Sequence, residues 1–146
     1  MRSLPLSELR LGDAATLSKT IGEADVVLFA GISGDFNPLH VDAEFARRSG
    51  FGARVAHGTL PMAVAAGVLG TMLPGLGTVA LSVAVDFRAP VLVGDTVTAR
   101  AEVAAIDEQS GRATMALSWT NQRGELVASG EAVVRPPREP VSASGA

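Results

Sequence analysis

Apolar and polar positions alternate with period two over four stretches in the second half of the chain. In residues 79–87, Val79, Leu81, Val83, Val85 and Phe87 alternate with Ala80, Ser82, Ala84 and Asp86. This pattern predicts a strand with one greasy face. Residues 96–103 follow suit, with Val97, Ala99, Ala101 and Val103 opposing Thr98, Arg100 and Glu102. So do residues 113–119, where Ala113, Met115, Leu117 and Trp119 share a face. A last strand is predicted at 126–134, with Leu126, Ala128, Gly130, Ala132 and Val134 on one side. Polar, glycine-bearing segments at 107–112 and 121–124 read as hairpin connections.

The first half follows other periods. Residues 14–21 read as a strand and 23–32 as a helix with Val26, Val27, Phe29 and Ala30 on its buried side. Asp42 is placed to cap a short helix that ends at Gly50. Residues 59–73 are apolar nearly all round, so this helix is expected to be covered on most sides. Pro61 is tolerated in its first turn, where amides lack intrahelical partners. Gly67 and Gly70 each cost about 1 kcal/mol of helix propensity relative to Ala, and their expected return is close approach to a sheet. A helix of that extent spans roughly 22 Å and a nine-residue strand about 30 Å. One antiparallel sheet can therefore wrap one central helix, an α+β arrangement. Its unpaired edge suits pairing with a second copy.

Length and composition narrow the reading. The 146 residues predict one domain over 1–135 and a disordered Pro/Ser/Ala-rich tail over 136–146. The absence of cysteine excludes structural disulfides, thiolate zinc sites and a cysteine nucleophile. A net charge of −3, with 12 scattered basic residues, argues against nucleic acid as the main partner. No charged residue lies between Arg54 and Asp86, yet the helical part of that stretch falls short of the roughly 20 residues a membrane span needs. The N-terminus shows no apolar signal region, which favours the cytoplasm.

The chemistry concentrates in two places. Asp35, Asn37 and His40 lie within Ser33-Gly34-Asp35-Phe36-Asn37-Pro38-Leu39-His40. On a helix Asp35 and His40 would stand roughly 140° apart, and on a strand they would face opposite sides. A loop can bring them together, and Pro38 favours one by driving Asn37 out of the helical region. An acid and an imidazole on one loop are equipment for proton transfer. Asp35 and Asn37 are also good turn formers. The second place is Ala56-His57-Gly58-Thr59-Leu60, at the entrance to the apolar helix. The Gly58 amide is a candidate oxyanion donor there, or Gly58 simply permits a tight turn. Asp35, His40 and His57 are metal-ligating types, but their spacing matches no zinc pattern, and no metal is expected.

The run from Phe29 to Asp42, the segment Ala56-His57-Gly58-Thr59-Leu60 and the later Pro90-Val91-Leu92-Val93-Gly94-Asp95-Thr96-Val97 resemble the MaoC-like, (R)-specific enoyl-CoA hydratases. The resemblance covers residues 10–135. It implies a hot-dog fold, a five-stranded antiparallel sheet wrapped around a long helix, dimerised edge to edge. It further implies reversible addition of water to a trans-2-enoyl thioester, giving an (R)-3-hydroxyacyl-CoA. Asp35 and His40 match the catalytic pair, Asn37 the residue that positions their loop, and Gly58 the amide that polarises the thioester carbonyl. No cofactor is implied beyond the CoA of the substrate, and apolar residues flanking the helix would line an acyl tunnel. Arg47, Arg48, Arg54 and Arg88 are candidates for the CoA phosphates. The same motif fits a 3-hydroxyacyl-[acyl-carrier-protein] dehydratase running in reverse. A thioesterase or a non-catalytic acyl-CoA-binding protein on this fold fits it less well.

Overall fold

The computed structural model describes residues 1–142. A 3₁₀ turn at Leu6–Glu8 precedes β1 (Ala14–Thr20), α1 (Glu23–Ser33), α2 (Pro38–Val41), α3 (Ala43–Arg48) and α4 (Met62–Thr71). Strands β2 (Val79–Phe87), β3 (Thr96–Asp107), β4 (Arg112–Asn121) and β5 (Leu126–Arg135) follow. The five strands form one sheet in the order β1-β3-β4-β5-β2, with every neighbouring pair antiparallel. This is the expected α+β arrangement. No helix among the described residues is long and apolar enough to cross a membrane.

Helix α4 packs against β3 and β1 and buries Val64, Ala65, Val68 and Leu69. Opposite them stand Val97, Ala99, Ala101 and Val103 of β3 and Met115, Leu117 and Trp119 of β4, all buried. Each large apolar side chain removed from water here contributes about 1.5–3 kcal/mol. Gly67 gives the close approach expected of it, since a Cβ there would stand 2.7 Å from Leu17 Cδ2 of β1. Gly70 does not, for its Cβ would meet nothing within 4 Å.

Four expectations need correcting. The helix expected over 59–73 starts only at Met62, because residues 57–61 form turns closed by bonds to the third residue back, such as Leu60 N–H to the His57 carbonyl. Cover on most sides is met on one face only: Ala63 and Ala66 are exposed. The greasy face expected along 79–87 is split by a register shift between Ala80 and Ser82. Val79 pairs with exposed Arg135, whereas Val83 and Phe87 pair with buried Ala132 and Ala128. Leu126 was expected on the inner face with Ala128, but a shift between Trp119 and Thr120 sets it opposite Thr120. It is exposed, and Val127 is buried in its stead. In each strand the extra residue of a bulge interrupts the alternation.

Part of the segment expected as a disordered tail is described. The Val141 amide donates to Ser3 Oγ at 2.7 Å, and Pro137 and Val141 approach Gly77. Residues 143–146 of that tail lie outside the described residues.

The loop before β3 braces the segment that carries His57 and Gly58. Asp95 is buried, and its carboxylate accepts from the Leu92 amide at 2.9 Å and from Gln122 Nε2 at 2.5 Å. The turn so fixed offers the Val91 carbonyl to the Ala56 amide at 2.8 Å, and Val55 bridges Leu92. Burial pushes the Asp95 carboxyl up. Hydrogen bonds from Gln122 and the Leu92 amide, with the charge of Arg123, outweigh it and hold the carboxyl below the ordinary aspartate range.

Two expected outcomes test this framework. A Cβ on Gly130 would lie 2.1 Å from the Ala84 carbonyl oxygen, whereas one on Gly31 of α1 meets nothing within 4 Å. Denaturant titration will show Gly130→Ala destabilised by about 1–3 kcal/mol and Gly31→Ala stabilised by up to about 1 kcal/mol. The second outcome concerns acid. A carboxyl depressed in the folded state contributes stability above its unfolded value, about pH 4, and that contribution is lost as the pH falls through the folded value. Asp95→Asn will therefore cost about 1.5–3 kcal/mol at pH 7, and the gap to the parent protein will narrow in unfolding curves recorded at pH 3.

Candidate active site

The segment between α1 and α3 builds its own shape from short side chains. Gly34 ends α1 in the left-handed region at φ 74°, where a side chain would be strained. Asp35 Oδ1 accepts from the Asn37 amide at 3.1 Å, an Asx turn. Asn37 Oδ1 accepts from the Leu39 amide at 3.1 Å and caps α2, with Pro38 in its first turn. The expected loop is therefore a loop only through Asn37, and His40 stands on a helical turn. Asp42 caps α3 as expected, accepting from the amides of Glu44 and Phe45.

This geometry brings Asp35 and His40 together. Asp35 Oδ2 and His40 Nε2 are 3.8 Å apart, with the Asp35 side chain half exposed and the imidazole buried. That separation is too long for a direct hydrogen bond but lets one water touch both atoms. His40 Nδ1 lies 2.7 Å from the Val55 carbonyl. A carbonyl only accepts, so Nδ1 carries the proton and the Nε2 lone pair faces Asp35.

Gly58 is exposed, and its N–H has no hydrogen-bond partner among the described residues. It lies ahead of α4 rather than in its first turn, so the helix dipole acts on it from a turn away. A Cβ at Gly58 would come within 3.2 Å of the Phe87 ring. His40, His57, Gly58, Met62, Phe87 and Val91 are among the residues lining one cavity of about 380 Å³. A second cavity, of about 450 Å³, lies between α4 and the sheet, and Met62 lines both.

The residue to which sequence reasoning gave no role in this site is His57. Its Nε2 is 2.8 Å from the Asp35 carbonyl, and its ring stacks on that of His40 with centroids 3.8 Å apart. The signal was its rarity: His57 is one of only two histidines, and it adjoins Gly58. Ligand atoms of Asp35, His40 and His57 all lie within 4.8 Å of one another. His40 Nδ1 and His57 Nε2 each donate to a backbone carbonyl, which leaves His40 Nε2 and His57 Nδ1 as the nitrogens with lone pairs.

The four arginines divide unequally. Arg47 pairs with Glu44 at 2.9 Å, Arg48 donates to the Glu44 carbonyl, and Arg54 forms a two-pronged bond with Glu23 of α1. Arg88 lines the first cavity, and among the described residues its guanidinium makes only contacts of 3.4–3.5 Å to Asp86 and Ser129.

Comparison with known proteins agrees with this geometry. Residues 10–122 match the family model described as MaoC like domain. An (R)-specific enoyl-CoA hydratase of Aeromonas caviae is 44% identical over 129 residues, covering 88% of this chain and 96% of that one. A 3-hydroxybutyryl-CoA dehydratase of Methylorubrum extorquens is 42% identical over 139 residues, covering 95% and 88%. Among solved structures, an unliganded R-hydratase from Pseudomonas aeruginosa superposes with a TM-score of 0.93 at 38% identity, covering 99% of this chain and 93% of that one. Over that span and at those identities, the chain belongs to the MaoC-like domain family and has its hot-dog fold.

Proposed function

We propose that this protein is an (R)-specific enoyl-CoA hydratase, a hydro-lyase that reversibly adds water to trans-2-enoyl-CoA to give (R)-3-hydroxyacyl-CoA. The observation that carries the reading is the facing pair, Asp35 Oδ2 and the His40 Nε2 lone pair at 3.8 Å, of which His40 lines one cavity together with Gly58. Relatives 41–44% identical over most of the chain are named as hydratases and a dehydratase of CoA esters.

The chemistry asks for two things. The β-carbon of an enoyl thioester is a weak electrophile until its carbonyl is polarised, and Gly58 N–H supplies that by donating to the thioester oxygen. Water is a weak nucleophile until it loses a proton. Asp35 and His40 hold it between them and take that proton as the C3–O bond forms. The π electrons of the double bond move toward the carbonyl, and the pair then delivers a proton to C2. Asn37 positions this machinery by capping α2. The reaction is redox-neutral, so CoA enters only as part of the substrate. The acyl chain runs past Met62 into the cavity beside α4, and Arg88, at the cavity wall and only loosely paired with Asp86 at 3.4 Å, is the arginine of the four placed to meet a CoA phosphate.

A symmetric dimer completes the reading. At the β2 edge Val79, Leu81, Val83 and Phe87 are exposed, whereas the opposite edge, β1, exposes Thr16, Ser18, Lys19 and Thr20 beside a single large apolar residue, Leu17. An apolar unpaired edge invites a second copy, and a lysine deters one.

Asp35→Asn and His40→Gln will each lower kcat for hydration of crotonyl-CoA by about 10²–10⁴-fold, read as loss of absorbance of the conjugated thioester. Hydration by both variants at the parent rate defeats the assignment. In sedimentation, the parent chain will run at twice its 14.9 kDa mass, and Leu81→Lys will shift it toward the monomer.

A further inference from the structure

Residues 34–37 carry Asp35 but are weakly tied down. Asp35 N–H donates to Ser33 Oγ at 3.2 Å, Asn37 N–H to Asp35 Oδ1, and Gly34 N–H to the Ala30 carbonyl. All three bonds are local. Among the described residues, the one hydrogen bond joining this segment to a distant part of the chain is that of His57 to the Asp35 carbonyl, across 22 residues.

His57 is built to hold that bond. It is 2% exposed, its ring is stacked on His40, and the Phe29 ring of α1 lies against it with centroids 5.0 Å apart. The Asp35 carbonyl can only accept, so Nε2 carries the proton. Nδ1 is buried and has no partner among the described residues, an orphan whose desolvation works against stability. A side chain serving packing alone would be better apolar, for a phenyl ring would fill this space with no polar atom to orphan. The imidazole therefore brings something a phenyl ring cannot, and the structure shows one thing it brings, the Nε2–H to Asp35.

We propose that His57 is a positioning residue of the hydration reaction: its Nε2–H fixes the main chain at Asp35 while its ring forms the floor beneath His40. Resting on the hydratase reading above, this assigns to one buried residue the registration of both halves of the proton-transfer pair. Because Gly58 follows directly, His57 also couples that pair to the oxyanion donor. Misplacement of a reacting group by about 1 Å can cost on the order of 10²-fold in rate, so the loss appears in kcat and leaves substrate affinity largely intact.

Two substitutions separate the bond from the ring. His57→Phe keeps a ring against His40 and Phe29 but deletes the donor. His57→Gln deletes the ring but can place an amide N–H near the position of Nε2. With crotonyl-CoA, His57→Phe is expected to lose about 10–100-fold in kcat with KM within about threefold of the parent, and His57→Gln to recover at least about tenfold of that loss. Melting curves show whether both remain folded. A His57→Phe enzyme with parental kcat overturns the proposal, as does equal loss in two folded variants. Should either variant fail to fold, nitrogen-15 imidazole spectra of the parent protein decide: a proton on Nε2 of His57 supports the bond, and a proton on Nδ1 alone overturns it. Asp35→Asn runs alongside as control. If it stays fully active, the hydratase reading fails; if it is inactive while His57→Phe is not, only the role of His57 fails.

Discussion

The site depends on the bond from His40 Nδ1 to the Val55 carbonyl. It fixes which nitrogen of the imidazole is free, and thereby whether His40 can receive a proton from water on the side of Asp35. The acceptor is a main-chain atom, so its position is only as firm as residues 55–58. Those residues are held twice over, by the Ala56 amide on the Val91 carbonyl and by the Val55–Leu92 bridge, and behind both stands the buried carboxylate of Asp95. A charge remote from the cavity thus sets the orientation of an imidazole inside it.

Under the proposed reaction the same segment joins acid–base chemistry to electrostatic chemistry. Val55 orients His40, His57 reaches the loop of Asp35, and Gly58 presents an unpaired amide, all within four consecutive residues. Any shift of this backbone moves His40, the loop of Asp35 and the Gly58 amide together, and under the proposed reaction that is the proton-transfer pair and the oxyanion donor. The short side chains of the facing loop complement it. Asp35 and Asn37 each close a turn on a neighbouring amide, and Pro38 starts the helix that lifts His40.

Much of this was legible in the residues. Asp42 capped its helix as read, because an N-cap bond is local and its partners lie two and three residues away. The convergence of Asp35 and His40 followed from spacing, since regular structure would part them. The period-two stretches became strands in the central sheet. What stayed hidden was long-range or backbone-borne. The start of α4 at Met62 was misplaced because the apolar stretch begins ahead of the point where α-type hydrogen bonds begin. Bulges near Leu81 and Val127 are set by pairing between strands, so alternation within one strand could not reveal them. The partners of His40 and His57 are carbonyls, which no side-chain pattern marks.

Phe87 gives the fold one more property. It sits at the end of β2, one of the two edge strands, yet its ring lies against Gly58. Whatever joins that margin of the sheet also bears on the wall of the cavity. Under the edge-to-edge reading, assembly and turnover share a structural element, and dilution alone becomes a way to slow the catalyst.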